Sequence, residues 1–143
     1  MTPKEISRVL VVDGEPAILR TLTVFLKMRG YDCHSAQSAE EAAGWIEENT
    51  AHIILIDLDT AGAGGSSVLD RLHRLGGLSQ LVAMSAHPTV DKIIDAYQLG
   101  ASDYLAKPFK NLDDVDVAVS HAAQRLARWR VILSQTLSEE GRA

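Results

Sequence analysis

The sequence holds one cysteine, Cys33, so no intramolecular disulfide can staple the chain. A reducing compartment is the natural setting for such a protein. No apolar run approaches the ~20 residues that a membrane-spanning helix requires, and the opening MTPKEISR lacks the apolar segment of a secretory leader. A cytoplasmic protein without a membrane partner is expected. Cationic residues are the minority: 14 Lys and Arg against 19 Asp and Glu leave a net charge of −5. That balance argues against direct nucleic-acid binding, because phosphate backbones reward excess Lys and Arg. Arg125, Arg128 and Arg130 form a local basic run. With no helix-turn-helix pattern around it, the run reads as a solvated helix face. No histidine pair has the i, i+4 spacing of a metal site. His34, His52, His73, His87 and His121 lie on separate elements and read as surface or half-buried residues. Cys33 reads as a packed thiol.

What is present is a rhythm. In 143 residues, 46% hydrophobic, short apolar runs and helical periodicities alternate five times. This suits one compact domain with a real core. Val9–Val12 reads as a buried strand, and Pro16 then suits the first turn of a helix carrying Ile18, Leu19, Leu22, Phe25 and Leu26, stopped at Gly30. Tyr31–Ala36 is a weaker strand. Ser38 and Glu41 form a capping box for a helix with Ala42, Ala43 and Ile46 inward. Ile53–Ile56 is the strongest strand signal and ends at Asp57. The small-residue stretch TAGAGGSS, residues 60–67, leads to a helix around Val68–Leu75. Leu81–Met84 is a strand ending at Ser85, Val90–Leu99 a helix stopped by Gly100, and Asp103–Ala106 a strand ending at Lys107-Pro108. Asn111 can cap a long last helix reaching about Leu137. Wholly apolar strands separated by helices imply a parallel sheet covered on both faces.

In such a sheet ligands bind beyond the carboxyl ends of the strands. Asp13, Asp57, Ser85 and Lys107 each close a different strand, so all four can converge on one edge. Two carboxylates, a hydroxyl and an ammonium in one cleft suit phosphoryl chemistry. The carboxylates can hold Mg²⁺, which takes oxygen ligands. A carboxylate can also act as the nucleophile and form an acyl phosphate, and the ammonium and hydroxyl can hold the phosphoryl oxygens. Strand-end residues that merely cap the following helices would account for one such residue, not for four together.

VLVVDGEP, IILIDLDTAGAGG, LVAMSAH and GASDYLAKPF stand in this order between residue 8 and about residue 126. Here the sequence resembles the receiver domains of bacterial two-component response regulators. The resemblance implies a flavodoxin-like (CheY-like) α/β fold, a doubly wound five-stranded parallel sheet in the order 2-1-3-4-5. It implies a signalling module rather than an enzyme. Asp57 corresponds to the phosphoacceptor, charged by a sensor histidine kinase or a phosphotransfer protein. Asp13, Asp57 and the backbone carbonyl of Asp59 correspond to Mg²⁺ ligands. Ser85 and Lys107 correspond to the groups that contact the phosphoryl group, and Ser85 with Tyr104 to the switch pair. His87, at the cleft rim, stands where the family can tune hydrolysis of the acyl phosphate; a bystander is the alternative. Output would follow from a population shift on the face made by the helix over Val90–Leu99, the fifth strand and the last helix.

The departures matter. Gly14 stands where the family has a second acidic residue, Ala61 where it has proline, and Gly64 where it has aspartate. Each lost charge-assisted contact is worth ~1.5–3 kcal/mol, so Mg²⁺ should bind more weakly. Glu15, one position along, and the side chain of Asp59 are the candidate substitutes. A degenerate receiver that works as a dimerisation or adaptor module without phosphorylation is the alternative. A small flavin or nucleotide binder on the same fold is disfavoured, because DGEP lacks a phosphate-cradling loop.

Receivers of this kind end near Leu126, which divides the chain into a domain over 1–126 and a helical extension over 127–143. Val115, Val119, Ala122, Leu126, Trp129, Leu133 and Thr136 repeat as a heptad seam. The first half must pack on the sheet. Leu126, Trp129 and Leu133 are the residues expected to face a partner, as a short coiled-coil stalk that makes a homodimer and leads to an output domain or partner protein.

Overall fold

A computed structural model of the chain describes residues 7–60, 74 and 77–142. In order along the chain come β1 (Arg8–Val12), α1 (Pro16–Met28), β2 (Asp32–Ala36), α2 (Ala39–Glu48), β3 (Ile53–Asp57), β4 (Gln80–Ser85), α3 (Val90–Gln98), β5 (Ala101–Ala106) and α4 (Asp113–Glu140). The strands form one sheet in the order β2-β1-β3-β4-β5, and every neighbouring pair is parallel. The segment 61–67, the helix expected around Val68–Leu75 and His73 lie outside the described residues, Arg74 excepted.

Side chains alternate across a strand, and that splits the core in two. Val9, Val11, Ile53, Leu55, Val82 and Met84 pack under Leu19, Leu22 and Leu26 of α1 and Val115, Val119 and Ala122 of α4. Leu10, Val12, Ile54, Ile56, Leu81 and Ala83 pack under Ala42, Ala43 and Ile46 of α2 and Ala96 of α3. Both faces of the central strands are therefore covered. This is why β1 and β3 read as unbroken apolar runs.

The helix signals act as expected at α1 and α2. Pro16 opens α1, and Gly30 takes the left-handed backbone, φ 99°, that ends it. Ser38 Oγ accepts the Glu41 N–H at 3.1 Å. The return bond of the box reaches one residue further back, with Gln37 N–H donating to Glu41 Oε2 at 3.1 Å. Asn111 does accept the Asp113 N–H, at 2.9 Å, but α4 begins two residues later, at Asp113, and runs on to Glu140. Arg29 at the end of α1 pairs with Asp113 at 3.0 Å and Asp116 at 3.3 Å, joining the two helices of one face.

Two expectations need correction. β5 begins at Ala101, not Asp103; it is a half-buried edge strand whose polar Ser102 and Asp103 hide it from an apolar pattern. Leu126 is only 2% exposed and belongs to the core, so it is not free to face a partner. The free stretch of α4 starts beyond it. Trp129, Ile132, Leu133 and Leu137 are all more than 40% exposed and share one helix face at spacings of 3, 1 and 4. No helix among the described residues is long and apolar enough to cross a membrane.

Candidate functional site

Parallel strands bring their carboxyl ends to one edge of the sheet, and β1, β3, β4 and β5 deliver Asp13, Asp57, Ser85 and Lys107 there. Asp13 and Ser85 are 0% exposed and Asp57 5%. The backbone fixes their places. Asp13 N–H donates to Ala36 O at 3.1 Å, Leu58 N–H to Met84 O at 2.8 Å, and Lys107 N–H to Ser85 O at 2.9 Å. The last of these leads into a cis Lys107-Pro108 peptide.

The ammonium of Lys107 sits between the two carboxylates. It donates to Asp13 Oδ2 and lies 3.4 Å from Asp57 Oδ2. Burial pulls this ammonium toward its neutral form, but the hydrogen bond to Asp13 and the charge of Asp57 outweigh it and hold its pKa above the usual lysine value. Buried charges persist only when paired and hydrogen-bonded. Here Asp13 Oδ1 also accepts the Glu15 N–H at 2.9 Å, and Asp57 Oδ1 the Asp59 N–H at 3.2 Å.

Four other candidate residues lie around this trio. The Ser85 hydroxyl is engaged with Asp59 Oδ2 at 3.5 Å and with the His87 N–H at 3.1 Å. The Asp59 carboxylate faces the loop after β4. It accepts the Ala86 N–H at 3.1 Å and pairs with Lys92 Nζ at 3.3 Å. Burial opposes its charge, but the Ala86 N–H and the Lys92 ammonium prevail, so its pKa lies below the usual aspartate value. Glu15 is exposed and meets the site through its backbone N–H. Tyr104 packs against the α2–α3 side of the core, and its hydroxyl is buried without a hydrogen-bond partner among the described residues.

Two residues that sequence reasoning missed complete the site. Lys92, in the first turn of α3, also donates to His87 O at 3.1 Å; nothing in the sequence marks it. Thr60 Oγ1 donates to Asp57 Oδ2 at 2.8 Å and accepts the Gly14 N–H at 2.7 Å. Its position three residues after Asp57 was the available signal.

The donor set suits a hard divalent cation. Asp13 and Asp57 bring two negative charges against the one positive charge of Lys107, which leaves room for added positive charge. Mg²⁺ binds through one or two carboxylates and keeps several waters. Among the described residues no cluster of three or more His, Cys, Asp or Glu forms a metal cage, so the remaining ligands would be neutral oxygens.

Comparison with known proteins agrees with this geometry. Residues 9–119 match the response regulator receiver domain family. The alginate biosynthesis transcriptional regulatory protein AlgB of Pseudomonas aeruginosa is 36% identical over 107 residues, which cover 75% of this chain and 24% of AlgB. The chain thus spans about a quarter of the length of the curated relatives it matches. A CheY-like receiver domain protein from Methanospirillum hungatei superposes with a TM-score of 0.79 at 23% identity, covering 85% of this chain and 97% of that one, a likeness of fold. The beryllofluoride-activated NtrC4 receiver domain dimer gives 0.76 at 28% identity, covering 83% and 98%. With the sheet order, the strand-end site and the family match in agreement, the chain belongs to the response regulator receiver domains.

Proposed function

We propose that Asp57 accepts a phosphoryl group from a phosphohistidine on a sensor kinase or phosphotransfer protein. A carboxylate oxygen of Asp57 forms the bond to phosphorus as the phosphorus–nitrogen bond breaks, and the electron pair of that bond leaves with the imidazole. The observation that carries this reading is the buried trio: Lys107 held between Asp13 and Asp57 at the sheet edge. Lys107 would move from the carboxylates to the phosphoryl oxygens, and the Ser85 hydroxyl would leave Asp59 to meet them. Mg²⁺, held by Asp13, Asp57 and the Asp59 carbonyl, would neutralise charge on the phosphoryl oxygens. Tyr104, which pairs with Ala83 two residues before Ser85 on the neighbouring strand, would follow the hydroxyl inward and alter the α3–β5–α4 face.

The exposed stripe on α4 supports a homodimer, with the segment past Leu126 as the joining helix. The NtrC4 receiver is described as a dimer, and AlgB as a transcriptional regulator. Control of an output domain, and through it of transcription, is the function these relatives favour for the whole protein.

The test is intact mass after incubation with Mg²⁺ and acetyl phosphate. A gain of about 80 Da, the mass of one phosphoryl group, is expected in the native protein and not in Asp57→Ala. No gain at high Mg²⁺ would leave the phosphorylation-independent adaptor as the better reading.

A further inference from the structure

Gly14 and Thr60 are one device. The residue after Asp13 is not glycine for the sake of its backbone: among the described glycines only Gly30, Gly77 and Gly100 have positive φ. What a side chain would meet there is Thr60. A Cβ added at position 14 would lie 3.3 Å from Thr60 Oγ1 and 3.7 Å from Thr60 Cγ2, with Gln37 O at 3.9 Å. The first of these is tighter than ordinary van der Waals contact, and a carboxylate on that Cβ needs more room. The Thr60 side chain therefore borders the space that opens because residue 14 has no side chain. From that place it accepts the Gly14 N–H at 2.7 Å and donates to Asp57 Oδ2 at 2.8 Å.

We propose that Thr60 is a positioning residue for phosphoryl transfer, coupled to the absence of a side chain at position 14. This deepens the phosphoacceptor reading and rests on it. The Thr60 hydroxyl has one proton and gives it to Asp57 Oδ2, the oxygen that Lys107 also faces. Asp59 N–H holds the other oxygen, Oδ1. Both oxygens of the carboxylate are thus fixed in direction by donors from the residues that follow it, without a second carboxylate beside Asp13. The two compensators expected from sequence do not fill this place: Glu15 is exposed, and the Asp59 carboxylate is committed to Ala86 and Lys92. Thr60 brings a neutral oxygen to the gap instead of a charge. Restoring an acid at position 14 should therefore displace Thr60 and gain little.

The experiment compares the native protein with Thr60→Ala, Thr60→Val, Thr60→Ser, Gly14→Asp and the Gly14→Asp/Thr60→Ala double variant. Two quantities are read: the rate of phosphoryl gain from acetyl phosphate at saturating Mg²⁺, by intact mass, and Mg²⁺ affinity by calorimetry. Thr60→Val keeps the shape and removes the hydroxyl, so its rate and that of Thr60→Ala should fall about tenfold, the effect of one hydrogen bond to a charged group. Thr60→Ser should recover the loss. Gly14→Asp alone should change Mg²⁺ affinity by no more than about threefold, and the double variant should bind about tenfold more tightly than the native protein, a non-additive cycle. A native rate in Thr60→Val, or Gly14→Asp binding Mg²⁺ as tightly as the double variant, overturns the proposal. If the native protein gains no phosphoryl group, the phosphoacceptor reading falls, and the positioning role falls with it. The calorimetric cycle needs no phosphorylation, so it still decides whether residues 14 and 60 are coupled.

Discussion

The Asp59 carboxylate accepts the backbone N–H of Ala86 at 3.1 Å, so one side chain ties the loop after β3 to the loop after β4. The second loop begins directly after Ser85, the last residue of β4, and Lys92 braces the tie from α3 at 3.3 Å. The tie needs the ionised carboxylate, whose pKa is lowered chiefly by the Ala86 N–H and Lys92 against the opposing effect of burial. A lowered acid contributes its stabilisation above the ordinary aspartate value of about 3.9 and loses it as pH falls through the folded value. The Ala86 amide resonance should accordingly move in acid with a midpoint below about 3.9, and this titration should vanish in Asp59→Asn. A midpoint at or above the ordinary value would contradict the tie.

Removing Lys107 should cost stability rather than only function. Lys107→Met leaves Asp13 and Asp57 buried with no cation between them, and breaking a buried ion pair on one side costs about 3–5 kcal/mol. Urea unfolding at neutral pH should show that loss, and Mg²⁺ should return part of it in the variant while doing less for the native protein. The native contribution has an alkaline limit. The pKa of Lys107 is raised because Asp13 and Asp57 outweigh its burial. The ion pair therefore stabilises fully below the unfolded value of about 10.4 and is lost as pH rises through the folded one.

The single thiol offers a check on packing. Burial pushes Cys33 up to about 11, and the residue is 2% exposed on β2. A thiolate is the reactive form, so a disulfide reagent at pH 8 should find no thiol in the folded protein and one in denaturant. Rapid reaction without denaturant would mean that the edge of the sheet at β2 opens.

Much of this was readable beforehand because the central strands are buried on both faces. Val9–Val12 and Ile53–Ile56 could only be interior strands, and the polar residues that close them stand out for that reason. β5 was half legible, since an edge strand has one poorly covered side and tolerates Ser102 and Asp103. The contacts of Asp59 with Ala86 and of Thr60 with Gly14 were not legible at all. They depend on how two loops lie against each other, with Thr60 reaching back 46 residues to Gly14 and Asp59 reaching forward 27 to Ala86. No periodicity records such contacts. Leu126 shows the opposite failure: the heptad pattern is continuous through it, because a helix face that packs on a sheet and one that packs on another helix use the same spacing.

The stripe beyond Leu126 leads to a prediction about assembly. Trp129→Lys with Leu133→Lys places charge in the middle of the exposed apolar face without touching the core. Sedimentation should show a dimer for the native protein at micromolar concentration and a monomer for the variant, with equal unfolding midpoints for the domain body. A native monomer at high concentration would remove the stalk from the functional reading.

Helix α4 runs 28 residues without interruption, its first half fixed on the sheet and its second half free of it. Such a helix is a lever with its fulcrum in the core. From Val119 to Leu137 the arm is about 27 Å long at 1.5 Å per residue, so a tilt of about 5° at the sheet would carry Leu137 about 2 Å sideways. A shift at the sheet too small to disturb the core would then reach the far end enlarged.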